Sequence, residues 1–373
     1  MVTQRNFSIL VIVFFVLAGT FYATSLSSRK AEKSEATTLL SNVPIAEIKK
    51  VKLERGAAKV TLVKKGDVWR VGERSSYPAD SGKVRSFLLK LFELESSQKV
   101  TKNVDNHARL GVNEAAIKNG AGRVSFLNDS DEGIGAIYFG EFRKPTKERS
   151  PRLTGQYVRR AESDVVYLLG QHFSINIQIA NWLDKDLANT LSNNVWSITQ
   201  KVKDGEGYKK EFALSSSVSD NLRTFKLLAK GNPNKAAVSE IDSGLEGLRL
   251  EDVYKKDSKE VEGLSFNKET VFKLTNGLSY SIKSAEQGER YFGKISVEYD
   301  AELVEALKKE HEEVLASFKE EEEAVRPELE LATEDDAQKL SAQYEEWVYV
   351  FPTYIGKKFR KNLSDMIEKT EED

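Results

Sequence analysis

The chain has 373 residues, no cysteine, 40% hydrophobic and 31% charged residues, and a formal net charge of −2. The absence of cysteine excludes disulfides, a thiolate nucleophile, a lipid-anchored cysteine and any Cys-ligated metal. A near-neutral balance without a dense basic run gives no footprint for nucleic acid, and the length suits two domains of ordinary size.

After a six-residue tail (1–6), residues 7–28 carry no charge. Phe7 to Leu26 is 20 residues long, 12 of them Phe, Ile, Leu or Val, which is the length that spans a bilayer core. On an insertion scale these 12 favour the membrane by at most about 4 to 7 kcal/mol. The stretch is predicted to be a transmembrane signal anchor whose partner is membrane lipid. The competing reading is a cleaved signal peptide, with Arg5 as its basic end and Ala23-Thr24-Ser25 as the small-residue cleavage site. Flanking charges are nearly balanced, Arg5 facing Arg29, Lys30 and Lys33. The short leading tail makes the segment an export signal, so the bulk of the chain is expected outside the cytoplasm, behind a polar tether at 29–44.

Residues 45–170 read as an α+β unit. Ile48 to Leu53, Val60 to Val63 and Val68-Trp69-Arg70-Val71 are strand-like, with a turn at Lys65-Gly66-Asp67. Tyr77-Pro78-Ala79-Asp80-Ser81 leads into a helix capped by Asp80 or Ser81. Val84, Phe87, Leu88 and Leu91 share one face of that helix. Residues 171–300 echo this unit. Val195-Trp196-Ser197-Ile198 matches the Trp69 strand, and Val218, Leu222, Phe225 and Leu228 match the helix stripe. Lys201 to Glu211 reads as a polar insertion. Arg123 to Leu127 corresponds to Thr270 to Leu274, and Gly155 to Arg159 to Gly288 to Lys294. The fold class expected is therefore α+β: one transmembrane helix, then two tandem repeats of mainly antiparallel sheet with packed helices, then a C-terminal acidic helical segment.

That segment, 301–345, lies in a tail (301–373) holding 10 Lys/Arg against 21 Asp/Glu, read as a solvated face. Asp300 is placed to cap a helix with Leu303, Leu307, His311, Val314 and Phe318 on one stripe. In the closing part, 346–373, Trp347 to Phe351 reads as a strand. Pro352 to Lys369 reads as a helix burying Ile355, Phe359, Leu363 and Ile367.

Taken in order, the anchor, Val68-Trp69-Arg70-Val71 with Tyr77-Pro78-Ala79-Asp80, the Leu110-Gly111-Val112 turn, Gly155-Gln156-Tyr157-Val158-Arg159, Asn181-Trp182-Leu183-Asp184-Lys185 and Trp347-Val348-Tyr349-Val350 form a pattern. It resembles the domain of unknown function 4340 family over most of residues 45–360. The resemblance implies a single-pass protein of the bacterial inner membrane with its soluble part periplasmic. It also implies partners in a membrane complex, an ABC-type transport system of the gliding-motility type, and it supplies no catalytic residues.

No chemistry-bearing motif is complete. Gly288 to Lys294 fits G-x4-G-K, but Ile295 stands where a Ser or Thr should reach Mg²⁺, and the run after it reads as strand rather than helix. Gly133, Gly135 and Gly140 miss the dinucleotide spacing. His311-Glu312-Glu313-Val314-Leu315 lacks the second histidine of a zinc helix. His107 and His172 have no recognisable partners and read as surface or structural. Glu320 to Glu323 lack the turn glycine of a calcium loop. Trp69 and Trp196 are assigned to core packing. No catalytic, cofactor-binding or metal-binding residue is therefore assigned, no cofactor is expected, and the chain is not expected to be an enzyme. The leading expectation is a membrane-tethered interaction protein, an accessory subunit of a transport complex. A glycan- or peptide-binding module with an aromatic groove is the alternative, and a hydrolase using paired carboxylates is the third reading.

Overall fold

The computed structural model describes residues 37–96, 98–143, 155–219, 222–317 and 328–368. The segment 7–28 and the run Glu320 to Glu323 lie outside them. Among the described residues no helix is long and apolar enough to cross a membrane. The chain forms two compact units, 1–64 with 82–177, and 65–81 with 178–373.

In the first unit, β1 (Lys50–Arg55) turns into β2 (Ala58–Lys65). Next in the chain come β3 (Val68–Val71) and β4 (Tyr77–Pro78), which group with the second unit, and then helix α1 (Ser81–Phe92). Strand β5 (Gln98–Thr101) and the helices α2 (Asp105–Arg109) and α3 (Glu114–Ile117) come next. The antiparallel run β6 (Gly122–Leu127), β7 (Gly133–Phe142), β8 (Gln156–Arg160) and β9 (Val166–Leu169) completes the unit. Its strands lie in the order β2-β1-β6-β7-β8-β9-β5. Alternation explains the core: Val51 and Leu53 on β1 and Val124 and Phe126 on β6 are fully buried on one face. Helix α1 covers that face with Val84 and Leu91, its Phe92 ring 5.4 Å from Phe126. Each such buried side chain contributes roughly 1.5–3 kcal/mol.

The second unit is built from β10 (Val195–Asp204), β11 (Gly207–Ser219), β12 (Leu222–Leu227), helix α4 (Lys235–Asp242), β13 (Asp252–Lys255), β14 (Lys268–Leu274), β15 (Leu278–Gln287) and β16 (Arg290–Tyr299). Helices α5 (Ala301–Ser317) and α6 (Glu334–Tyr344), strand β17 (Trp347–Phe351) and helix α7 (Thr353–Lys358) follow. The sheet order is β12-β11-β10-β14-β15-β16-β17-β13. From β11 to β13 this reproduces the first unit strand for strand, the edge strand β13 taking the place of β5. Each unit also carries a short ladder, Thr37–Thr38 with Glu95–Ser96 and Asp186–Ala188 with Leu248–Arg249. The acidic segment enters between β16 and β17, where the first unit has only the turn from Arg160 to Val166. Asp300 does cap α5, its Oδ1 accepting from the Leu303 amide at 2.9 Å.

Several expectations are corrected. Val218, Leu222, Phe225 and Leu228 form no helical stripe: Val218 lies in β11 and Leu222 and Phe225 in β12, with Leu214 opposite Leu227. The helix at α1's place in chain order is α4. Trp69 and Trp196 are not equivalent, since Trp196 lies at the start of β10, the counterpart of β1, whereas Trp69 lies in β3, after the β1–β2 hairpin. Neither is fully buried, and Trp196 lies under the Arg223 guanidinium. Lys201 to Glu211 is no insertion but the tip of the β10–β11 hairpin. The match of Arg123–Leu127 with Thr270–Leu274 finds the right strands one residue out of register, because the buried Phe126 and Phe272 make Glu269 the counterpart of Arg123. After Pro352 the helix stops at Lys358, and Ile355, Phe359 and Met366 supply the buried contacts.

Residues 65–81 are tied into the second unit by polar and aromatic contacts. Arg74 donates to both oxygens of Asp252 at 2.7 Å and stacks over Tyr254. Ala79 bridges Leu183, and the Tyr77 ring meets Trp347 edge-on at 5.0 Å.

Candidate functional site

The outward face of β1, β6 and β7 in the first unit holds a cavity of about 680 Å³, within the range of small-molecule sites. Lys52, Glu54, Arg123 and Ser125 line it from neighbouring strands, together with Gly133, Gly135 and Ala136 of β7. Register sets the arrangement: Lys52 lies opposite Ser125, and Glu54 opposite Arg123. Directly opposed side chains on antiparallel strands stand about 5 Å apart. Asn42 and Val43 close one side and Ala161 and Glu162 the other.

Two donors on residues that line this cavity are unsatisfied. The Ser125 hydroxyl and the Arg123 Nε are buried and have no hydrogen-bond partner among the described residues. Ser125 itself is only 9% exposed. Arg123 uses one Nη, which donates to Glu114 at 2.8 Å and lies 4.0 Å from Glu54. A buried polar group without a partner costs about 1–3 kcal/mol. The second unit shows that the fold does not demand this cost. At the place of Ser125 it carries Val271, and at the place of Arg123 it carries Glu269. Both Glu269 oxygens are satisfied, one by Lys201 at 3.0 Å and one by the Ser281 hydroxyl at 2.7 Å. Those bonds, with the nearby Lys201 and Lys283 charges, overcome desolvation and hold the Glu269 carboxyl below its ordinary range. Ser125→Ala is accordingly expected to stabilise the ligand-free protein by about 1 kcal/mol, read as a higher urea midpoint with an unchanged slope.

The residues singled out by sequence are dispersed. His107 is buried in α2 with its Nε2 2.9 Å from the Asp164 carbonyl, a structural role. His172 is exposed beside the Phe142 ring, and His311 lies on α5. Gly288 has φ +62° in the two-residue turn between β15 and β16, so the G-x4-G-K run is a hairpin. Ile295 to Tyr299 is strand, as its sequence reads. No group of three metal-ligating side chains occurs among the described residues.

Two further cavities, of about 450 and 350 Å³, open in the second unit, the first lined by Asn189, Asn194 and Asn276, the second by Glu240 and Lys361. None of the three is lined by Trp or Tyr. Among the described carboxyls Asp242, at the end of α4, is pushed up, burial raising it to about 6 against the lowering pull of Lys358; it lines none of these cavities. Because the folded state holds this proton more tightly than the unfolded chain, its stabilising effect is complete below about pH 4 and is lost as pH rises through about 6. Asp242→Asn is expected to flatten that slope and to add about 1 kcal/mol at pH 7.5, a value reduced for a half-exposed group, measured by urea unfolding at pH 4 to 8.

Sequence reading missed the cavity because Lys52, Arg123 and Ser125 come from strands far apart in the chain. The one legible signal was the polar residue at every second position of β1 and β6. A family model, described as a domain of unknown function (DUF4340), matches residues 69–267, more than half of the chain. The chain belongs to this family. No curated protein and no solved structure matches it. In this DUF4340 protein the match begins at Trp69 in β3 and ends just before β14, so Arg123 and Ser125 fall inside it and Lys52 and Glu54 outside.

Proposed function

We propose that the chain is a membrane-tethered, extracytoplasmic interaction protein, held in the bacterial inner membrane by residues 7–28 and serving as accessory subunit of an ABC-type transport complex. The anchor-like run of apolar residues supports the location. The cavity in the first unit, with buried donors left unpaired, carries the functional reading: such groups are retained at a stability cost where a partner satisfies them. The presence of Val271 and a fully bonded Glu269 at the corresponding places of the second unit supports a division of labour, the first unit binding and the second unit scaffolding. Purification of the full chain from membranes in mild detergent tests the assembly. Co-elution of a membrane ATPase and its permease is expected, and recovery of a lone monomer under several detergents would refute the transport role.

The lining of the cavity also favours the peptide form of the alternative over the glycan form, because sugar rings are bound on aromatic faces and no Trp or Tyr lines it. The hydrolase reading rests on Glu54 and Glu162 lining the same cavity. Cleavage of a dipeptide on prolonged incubation would support it, and an intact dipeptide would remove it.

A further inference from the structure

We infer that the cavity on β1, β6 and β7 binds a zwitterionic amino acid or short peptide, with its carboxylate on Lys52, Arg123 and Ser125. This rests on the peptide-binding reading of the same cavity and is independent of the anchor and of any transport partner.

The donors fix the polarity of the ligand. Arg123 Nε can only donate, and it is buried without an acceptor. Ser125 Oγ lies beside it on the same strand face, two residues along, and is equally unpartnered. Lys52, opposite Ser125, makes no hydrogen bond or ion pair among the described residues. Three donors on adjacent positions of two strands suit a group with two acceptor oxygens in one plane, and charge-assisted bonds of this kind are the strong ones. The remaining charges fix its valence. Glu54 and Glu162 line the same cavity, Glu162 lying 3.5 Å from Arg160 Nε, and Arg123 is already partly neutralised by Glu114. A dianion such as phosphate would meet two carboxylates, whereas a monocarboxylate with a positive amine nearby complements both signs. Gly133, which lines the cavity, has no atom within 4 Å of where a Cβ would stand, so that end is open to a backbone-sized body.

Calorimetric titration of the full chain in detergent, with L-alanyl-L-alanine, its C-terminal amide and inorganic phosphate as probes, tests this. The dipeptide is expected to bind saturably and the amide at least about tenfold more weakly, the loss of one charge-assisted pair being worth that factor. Ser125→Ala and Lys52→Met are each expected to weaken dipeptide binding about five- to tenfold. Ser125→Ala should meanwhile raise thermal stability, which separates lost binding from lost folding. Equal binding of dipeptide and amide, tighter binding of phosphate, undiminished binding by both variants, or no heat with the dipeptide would each overturn the inference. A protein that binds the dipeptide yet purifies without transporter subunits would leave the inference standing and remove only the transport role.

Discussion

Lys268→Met should lower the stability of the second unit by about 4 kcal/mol, among the largest effects of any single polar replacement in this chain. Lys268 is 8% exposed, and its ammonium spends all three protons: on Glu211 at 3.1 Å, the Lys361 carbonyl at 2.8 Å and Asn362 Oδ1 at 2.7 Å. The other Glu211 oxygen accepts from the Leu363 amide at 3.2 Å. The cluster fastens the closing segment onto β14 and β11. Methionine keeps the stem and its packing but abandons Glu211, a partly buried carboxylate, without a counter-charge. Removing one member of such a pair costs far more than removing both. The double variant Lys268→Met with Glu211→Gln should therefore recover about half of the loss. Urea unfolding of the two single variants and the double variant closes the cycle; simple additivity would show that the pair does not act as a unit.

Gly140→Ala should cost the first unit about 3 kcal/mol or more through overpacking against backbone. An added Cβ would stand 2.1 Å from the Leu110 carbonyl oxygen and 2.7 Å from a Val112 methyl. No side-chain rotation relieves the first contact. The turn at Leu110 to Val112 would lift from β7, breaking the bond from the Glu141 amide to the Leu110 carbonyl at 3.0 Å. The bond from Arg159 Nε to the Val112 carbonyl at 2.8 Å would weaken with it. Hydrogen exchange should show the loss of protection concentrated in 105–117 and β7. A uniform loss over both units would contradict the local account.

Local patterns were legible where local physics decides. Alternating runs such as Val60 to Val63 and the glycine turns gave the hairpins, and Asp300 and the Val84 to Leu91 stripe gave helices where helices form. The stripe Val218, Leu222, Phe225, Leu228 misled because its spacing also fits a helix, and a short apolar run does not distinguish the two periods. Pairing of β12 with β11, from Ser219 opposite Leu222 to Leu214 opposite Leu227, decides for strands. The two tryptophans misled in another way. As large, rare residues they invite superposition, but the equivalence of the units is carried by strand order and by Phe126 and Phe272. A shift of one residue exchanges the two faces of a strand, so the sequence match sets Arg123 against Thr270, on the face of the buried Phe272, instead of Glu269. The clusters that matter most, Lys52 with Ser125 and Lys268 with Asn362, join residues 73 and 94 positions apart and leave no mark on any single stretch.

The excursion of residues 65–81 into the second unit bears on how such a chain can be rearranged in evolution. A gene encoding two like modules end to end can exchange either by a single crossover between them. Here one crossover near residue 177 would separate Arg74 from Asp252 and Tyr77 from Trp347, leaving each product with half of a matched set. Transplanting the second unit intact requires three junctions, at 64, 82 and 177, inherited together. Related chains should therefore diversify by substitution within the units and by lengthening hairpins, as between β16 and β17, rather than by shuffling whole units.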